Sequence, residues 1–233
     1  MTKHSLLNLF PTSIYTSADE YILEENLIEE IKSYKKKVNP QVKKDASDYA
    51  DHSNSLGIDW VNKLENDDGW NGVSLNTKIL EEENLFNLKG WICEHIDHYI
   101  HNILNIDDRV EFFITQSWIT YGNKGSSISR HFHLNSVLSG CFYVNGENSS
   151  INFFSPNGVH PFPGFDFGIE RYDILNSSRW KLPVQNNKLV MFPSYIRHSV
   201  DPVVDDTQRI SLAFNTFFKG SAGQNDSLTL LEL

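Results

Sequence analysis

Cysteine is scarce in this chain, because only Cys93 and Cys141 occur among its 233 residues. Two isolated cysteines cannot build the disulfide framework of a small secreted domain, and they do not form a zinc ribbon. The N-terminal sequence also lacks the long apolar segment and the small-residue cleavage site of a secretory signal. Both absences predict a cytoplasmic protein.

Long apolar runs, basic clusters and several common motifs are missing as well. No stretch approaches the ~20 apolar residues of a membrane-spanning helix, so we expect no membrane insertion. Lys and Arg total 20 against 30 Asp and Glu, and the net charge of -10 argues against a nucleic-acid partner. The P-loop, Gly-x-Gly-x-x-Gly, His-Glu-x-x-His and Gly-x-Ser-x-Gly motifs are absent, which excludes common nucleotide-binding, zinc-protease and serine-hydrolase classes.

The sequence that is present divides into two halves with different apolar periods. Residues 22–38 and 85–104 carry apolar side chains at helical spacing, and residues 41–78 between them are mostly polar and irregular. From residue 111 short apolar runs alternate with turns, and they predict strands over 112–121, 129–134, 139–144, 150–154, 188–192, 197–203 and 209–218. We therefore expect one α+β domain, 1–233, with a helix-rich part, 1–110, before a β-sandwich or barrel, 111–218.

One segment of the second half, residues 157–183, is long, aromatic and rich in proline and glycine. Loops of this length are usually functional or mobile, so the segment is a candidate lid over a substrate. Aromatic side chains here and near the strands are candidate substrate contacts, although packing explains them equally well. They are Trp118, Tyr121, Phe132, Phe162, Phe165, Phe167, Tyr172 and Trp180.

Three histidines stand out by position. His131 and His133 flank one residue of a predicted strand, so the period of two places both imidazoles on the same face. That pair alone also fits a polar, solvated strand face. His198 begins another predicted strand, and Arg209 opens the next; if 198–203 and 209–214 are antiparallel neighbours, both side chains can face one interior. A buried arginine then requires an anionic partner.

Together these residues suggest a metal site with an anion beside it. Imidazoles converging from two strands suit a divalent transition metal, and three-residue facial sites occur in non-haem Fe(II) oxygenases. The guanidinium fork matches a carboxylate, which points to a keto acid dicarboxylate. His95, His98 and His101 share a predicted helix, where steps of three residues drift by ~60° and prevent a common metal. Cys141 lies in an apolar strand and is interpreted as core.

At this point the chain resembles the iron(II)- and 2-oxoglutarate-dependent oxygenases, in particular a bacterial and phage group within that superfamily. The resembling segments are residues 9–12, 131–144, 190–193, 198–202 and 209–211. The resemblance implies a double-stranded β-helix, a jelly-roll and cupin-like core, with N-terminal helices packed on one sheet. It also implies a hydroxylase that uses molecular oxygen and releases succinate and CO2.

The resemblance assigns roles to six residues. His131, His133 and His198 correspond to ligands of Fe(II), while Arg209, Ser211 and Tyr143 are similar to residues that hold the distal carboxylate of 2-oxoglutarate. The superfamily usually has His-x-Asp or His-x-Glu where this chain has His131-x-His133. An alternative frame, His133-Leu134-Asn135, would make Asn135 a ligand in place of His131.

Two other classes remain open: a three-histidine, cupin-like metalloenzyme that does not use 2-oxoglutarate, and a non-catalytic jelly-roll binding module. The substrate is unidentified, and we expect a small molecule or a peptidyl group. Residues 228–231 are apolar and could add an edge strand or pair with another subunit in a homodimer.

Overall fold

Antiparallel strands in two sheets, with helices before them, form the part of the chain that the computed structural model describes, residues 11–34, 72–147, 149–156 and 167–233. Helix α1 spans Glu25–Tyr34 and helix α2 spans Phe86–Asp97, which continues as a π-helical turn, His98–Ile103. Two short 3-10 turns, Ile79–Glu81 and Glu83–Leu85, precede α2. Both predicted helices are present; the expected end of the first, 35–38, and most of the irregular segment, 41–71, lie outside the described residues.

Each of the seven predicted strands is found, six of them with shifted ends, and four further strands join them. The strands are β1 Tyr15–Thr16, β2 Gly72–Val73, β3 Val110–Gly122, β4 Ile128–His131, β5 Leu138–Asn145, β6 Ser150–Phe154, β7 Arg179–Pro183, β8 Leu189–Pro193, β9 His198–Val200, β10 Arg209–Ala222 and β11 Leu231–Glu232.

The order of the strands defines the architecture. The larger sheet runs β1-β8-β5-β10-β3-β2, with β11 paired to β10, and the smaller sheet runs β4-β9-β6-β7. From β3 to β6 and again from β7 to β10 the chain crosses between the sheets at every strand, and all strand pairs are antiparallel. This alternation is a double-stranded β-helix, a jelly roll, and it confirms the expected fold class.

The helices cover one face of the larger sheet, as expected. The packed residues are Ile31 of α1, Leu88, Ile92 and Ile96 of α2, Ile119 and Tyr121 of β3, and Ile210, Leu212 and Phe214 of β10; all are at most 1% exposed. Burying a side chain of this size contributes ~1.5–3 kcal/mol, so this layer holds the sheet rigidly. The Phe214 ring lies against Gly140, where an added Cβ would come within 2.3 Å of it.

The opposite face of the larger sheet turns toward the smaller sheet. Seven buried residues fill this interior and form what we call the inner cluster: Tyr143, Ile151, Phe153, Val184, Val190, Phe192 and Ile196. Because side chains alternate along β10, the residues between its helix-facing positions are Arg209, Ser211, Ala213 and Asn215. Polar groups therefore run along one wall of an otherwise apolar interior.

The structure corrects two strand predictions. Residues 198–203 and 209–214 are not neighbouring strands, because β9 pairs with β4 and β6 whereas β10 pairs with β3 and β5. His198 and Arg209 thus reach one interior from opposite sheets. The segment 157–183 is not a loop throughout, since β7 pairs along the whole of β6; residues 157–166 lie outside the described residues.

At the C-terminus a short edge strand, β11, pairs with Ser221 and Ala222 of β10, and it shares only Leu231 with the segment 228–231 that was considered for this role. Within the described ranges, none of the helices combines the length and the apolar character that crossing a bilayer demands.

Candidate functional site

Three imidazoles lie close together in the structure. His131 ends β4 and His198 begins β9, and the two residues are direct cross-strand partners with ring centroids 4.3 Å apart. The His133 ring lies 5.3 Å from His131 and 5.1 Å from His198. One ring nitrogen of each residue lies within 4.8 Å of those of the other two, which is a spacing that one metal ion can bridge.

His133 reaches this group by a route that the sequence did not predict. Strand β4 ends at His131, after an irregularity in its pairing with β9, so the two histidines do not share a strand face. Instead, the backbone N–H of His133 donates to the carbonyl of Ser194 in the turn between β8 and β9, at 3.0 Å. This tertiary hydrogen bond, not the period of two, places the third imidazole.

The hydrogen bonds of the rings fix their tautomers. The Nδ1 atoms of His131 and His198 face the backbone carbonyls of Ser129 and Ile196, at 2.7 and 3.0 Å. His133 Nδ1 lies 2.6 Å from Oδ1 of Asn215. Carbonyl oxygens only accept, so each Nδ1 carries the hydrogen and each Nε2 keeps its lone pair, which is the arrangement that metal-binding histidines adopt.

Burial keeps the three rings neutral. Desolvation lowers the pKa of His131. It also lowers the pKa of His133 to about 4 and that of His198 to about 3, and electrostatic repulsion from His131 is the second cause in both. At neutral pH a metal would therefore displace no proton from these rings. Three neutral nitrogen donors suit a divalent transition metal, and they leave its charge for other ligands to balance.

The alternative ligand Asn135 does not share these properties. Its side chain is exposed, and its backbone has φ of 54° in the turn that follows His133. Because His131 lies with the other two imidazoles, the geometry supports the frame His131-x-His133.

Arg209 lies deeper in the same interior and is only 2% exposed. Its Nη1 donates to Oγ of Ser149 at 3.1 Å and to the backbone carbonyl of Asp201 at 3.2 Å, while Nε is buried without a partner. No carboxylate of the described residues forms an ion pair with it, and burial lowers its pKa. A buried guanidinium with neutral partners alone is costly, so this position is suited to an anion from outside the chain.

Tyr143 and Ser211 stand beside the guanidinium. They face each other across β5 and β10 and are 2% and 5% exposed. Burial raises the pKa of Tyr143 well above its ordinary value, so the phenol remains a hydrogen-bond donor. Cys141, predicted to be core, packs against the inner cluster, and burial raises its pKa to about 11. A thiol in this state is not a nucleophile.

The candidate substrate contacts separate into distinct groups. Trp118 of β3 faces the site, with its ring 6.0 Å from that of His133. Tyr121 points to the helices instead, where its hydroxyl donates to the Ile31 carbonyl, so its suggested substrate role was wrong. The exposed residues are Phe132, which lies under Arg197, and Phe167, Tyr172 and Trp180; Phe162 and Phe165 lie outside the described residues.

The three histidines of the second helix lie apart from this site. His95, His98 and His101 make separate contacts, with Tyr15, Asn102 and the Ile106 carbonyl, which agrees with the prediction that they share no metal. Sequence reasoning missed Asn215, Ser139 and Ser194. A signal for Asn215 existed, because it occupies the same alternating face of β10 as Arg209 and Ser211.

Within the described residues, this jelly roll brings together three imidazoles that could hold a metal ion and a buried arginine without an ion pair, an arrangement typical of metal-dependent enzymes that bind an anionic ligand. Residues 116–215 match the family model described as "Putative 2OG-Fe(II) oxygenase", a segment of less than half of the 233-residue chain. The predicted resemblance to this superfamily is thereby confirmed. The two cofactors that the family description names, Fe(II) and 2-oxoglutarate, are those expected from the sequence.

Several solved structures are similar at low identity. An oxidoreductase of the 2OG-Fe(II) oxygenase family from Burkholderia pseudomallei is 15% identical, with a TM-score of 0.37, over 59% of this chain and 53% of that one, about half its length. A Pseudomonas putida prolyl-4-hydroxylase is 13% identical, with a TM-score of 0.47, over 88% and 92%. AviO1 from Streptomyces viridochromogenes Tue57 is 10% identical, with a TM-score of 0.45, over 88% and 89%.

At these TM-scores the fold assignment depends on the strand order of the chain itself. Among curated proteins there is no match.

Proposed function

We propose that the protein is a non-haem Fe(II)- and 2-oxoglutarate-dependent dioxygenase that hydroxylates a small-molecule or peptidyl substrate. The observation that carries the proposal is the presence, in one interior, of three neutral imidazoles and a buried arginine that has no anionic partner among the described residues. The first group can accept a cation, and the second is suited to an anion. A metal-chelating keto acid with a second carboxylate meets both requirements.

Two groups of residues would bind the two ligands. His131, His133 and His198 would hold Fe(II) through Nε2, and Arg209, Ser211 and Tyr143 would hold the distal carboxylate of 2-oxoglutarate. Arg209 bonds the Asp201 carbonyl, three positions after His198, so the guanidinium lies roughly 10 Å along the strand direction from the imidazole end. A five-carbon dicarboxylate, extended by a metal bond and a hydrogen bond, can span that separation.

Bound Fe(II) would supply oxygen activation coupled to conversion of 2-oxoglutarate into succinate and CO2, with hydroxylation of an unactivated carbon. The protein's own residues would position the ligands and exclude water from the site. Phe192 lies 4.5 Å and Phe153 6.4 Å from the His198 ring, so the apolar inner cluster borders the imidazoles. Exclusion of water strengthens the charge-assisted bonds that Arg209 makes to a carboxylate.

The substrate would approach the side that Trp118 borders. Its ring is half-buried beside His133 and offers an apolar wall to a small molecule or a peptidyl side chain. Cys93 and Cys141 are both free thiols, which is consistent with the proposed cytoplasmic location. A homodimer through the exposed apolar residues near β11 belongs to the same proposal.

The decisive experiment is anaerobic addition of Fe(II) and then 2-oxoglutarate to the purified protein, followed by visible absorption spectroscopy. We expect a weak metal-to-ligand charge-transfer band that saturates with 2-oxoglutarate. Metal binding without this band would instead identify a three-histidine, cupin-like metalloenzyme. Absence of metal binding would identify a non-catalytic jelly-roll module, and either result contradicts the proposal.

A further inference from the structure

His133 differs from the other two imidazoles in what holds it. His131 and His198 are oriented by backbone carbonyls, whereas His133 Nδ1 lies 2.6 Å from Oδ1 of Asn215 and 2.8 Å from Oγ of Ser139. The orientation of this ring therefore depends on side chains of two different strands of the larger sheet, β10 and β5.

We propose that Asn215, braced by Ser139, is a positioning residue that holds His133 in the Nδ1–H tautomer and aims its Nε2 lone pair at the metal. The inference rests on the proposed function, because it concerns a ligand of the proposed Fe(II) site. Hydrogen-bond partners of a metal-ligating histidine typically account for 10–100-fold in metal affinity, so the effect is measurable.

The surrounding hydroxyl groups support this direction of the hydrogen bond. Ser139 Oγ donates to Oδ1 of Asn215 at 2.8 Å, and it lies 2.7 Å from Oγ of Ser194, which lies 2.7 Å from Oγ of Ser136. Donors thus converge on the amide oxygen from His133 and from the serine chain. The opposite amide orientation would present an N–H group to the imidazole and place its hydrogen on Nε2, where it blocks a metal.

The position of Asn215 is itself constrained. Ser139 and Ser194 are fully buried, so the chain of hydroxyls has little freedom. The pairing of β10 with β3 shifts by one residue between Asn215 and Thr216, and Thr115 in this bulge donates from Oγ1 to the Asn215 carbonyl at 3.1 Å. Bulges near active sites commonly re-aim a side chain, and here the bulge occurs at the residue that contacts His133.

The departure from a carboxylate ligand increases the importance of this contact. With three neutral imidazoles, the affinity for a divalent cation depends on how strongly each ring nitrogen donates. An acceptor on Nδ1–H raises the basicity of Nε2. Asn215 is the acceptor that can be changed by mutation, because backbone carbonyls serve the other two rings.

The tautomer is tested in metal-free protein labelled with 15N-histidine, by long-range 1H–15N correlation at neutral pH. His133 resonances are assigned by their loss in His133→Gln. We expect the Nδ1–H form in the wild type and in Asn215→Asp, which keeps an acceptor. Asn215→Leu should show a mixture of tautomers, since leucine is similar in size and accepts no hydrogen bond.

Metal affinity is the second readout, measured as anaerobic Ni(II) and Fe(II) titration of the same variants. We expect a loss of about 10–100-fold for Asn215→Leu and less for Ser139→Ala, with affinity retained in Asn215→Asp. The matched control is Asn145→Leu, because Asn145 is also half-buried and its Nδ2 donates to the Gln208 carbonyl. This control should change stability alone.

The outcomes separate the inference from the proposed function. If Asn215→Leu retains both the Nδ1–H form and wild-type affinity, the inference is wrong while the oxygenase proposal stands. If the wild type binds no metal, the oxygenase proposal fails, and the tautomer spectra still decide what Asn215 does. If Asn215→Leu does not fold, Asn215→Asp decides: Nε2–H in His133 or weakened metal binding overturns the inference.

Discussion

The interior between the sheets has an imidazole end, formed by His131, His133 and His198, and an arginine end, formed by Arg209. The two ends are suited to ligands of opposite charge. At the imidazole end every Nδ1 has an acceptor and every Nε2 retains a lone pair, so the group is electron-rich and neutral. At the arginine end the donors outnumber the acceptors, since Nε of Arg209 has no partner and Nη1 bonds only neutral oxygens. One end can accept a cation, and the other can accept an anion.

This difference shows that both ends have groups available to a ligand, namely the Nε2 lone pairs at one end and the guanidinium of Arg209 at the other. A histidine cluster alone is compatible with many metals, and an unpaired buried arginine alone is compatible with many anions. Strand β10 links the two ends, because it supplies Arg209 and also Asn215, which contacts the His133 ring. A ligand that occupies both ends must therefore carry both functions. No carboxylate of the described residues belongs to the imidazole group, so a metal complex there would carry one more positive charge than a site with an acidic ligand.

Of the changes that distinguish the two ends, removal of one imidazole should have the largest effect, and that effect is on Fe(II) affinity. His198→Ala is expected to lower Fe(II) affinity by more than about 100-fold, beyond the loss typical of a residue that only contacts a ligand. Anaerobic Fe(II) titration measures it, and His133→Ala should behave in the same way. His98→Ala, an exposed helix position, is the control. Retained Fe(II) binding in His198→Ala would show that the imidazole end is not the metal site.

Removing the guanidinium should leave the imidazole end intact. Arg209→Ala is expected to bind Fe(II) normally and to require roughly 100-fold more 2-oxoglutarate, because charge-assisted bonds contribute ~1.5–3 kcal/mol each. The concentration of 2-oxoglutarate that half-saturates the charge-transfer band measures this. Wild-type behaviour of Arg209→Ala would mean that the cosubstrate lies elsewhere.

Substitution of Gly122 should disturb the arginine end less than removal of the guanidinium does. A Cβ at this position would lie 2.9 Å from Nη2 of Arg209 and 2.7 Å from Oγ of Ser126. Gly122→Ala should therefore displace the guanidinium and weaken 2-oxoglutarate binding about tenfold, the equivalent of one hydrogen bond. Gly90→Ala is the matched control, since nothing lies within 4 Å of its Cβ. Equal 2-oxoglutarate affinity in both variants would contradict the close packing of Arg209 on Gly122.

The last prediction concerns the pH dependence of the stability of the metal-free protein. The folded-state pKa values of His133 and His198 are about 4 and about 3, below the ordinary 6.5, so the unfolded chain binds more protons in this window. The free energy of unfolding should be greatest above about pH 6.5 and fall toward acid by ~1.4 kcal/mol per unit for each histidine. Denaturant unfolding between pH 6.5 and 5 tests it, and His198→Ala should show a shallower slope. Identical slopes would contradict the neutral, buried state of His198.

Much of the site could be predicted from the sequence. His131, His133, His198, Arg209 and their proposed chemistry follow from residue types that seldom occur together in apolar strands. Arg209 was considered as an interior residue that would then require an anion, and the structure places it in the interior without one from the described residues, although not through the strand pairing on which that interpretation depended. The resemblance to the superfamily added Tyr143 and Ser211, which the structure places beside one another.

The errors share a physical cause. The condition that 198–203 and 209–214 are antiparallel neighbours is not met, because this jelly roll sends β9 and β10 to opposite sheets. The common strand face of His131 and His133 was expected from period two, but the strand ends first. In both cases long-range backbone hydrogen bonds determine the register, and local patterns do not specify them.

The amino-acid sequence by itself determined which groups are available: the helical and strand segments, the ligand-type side chains, and the absence of competing motifs. Tertiary structure alone decided that His198 and Arg209 reach one interior from opposite sheets, that Ser194 positions His133, and that Asn215 contacts the His133 ring. The reason is that propensity and periodicity act over a few residues, whereas the site is assembled from residues far apart in the chain by sheet pairing and burial.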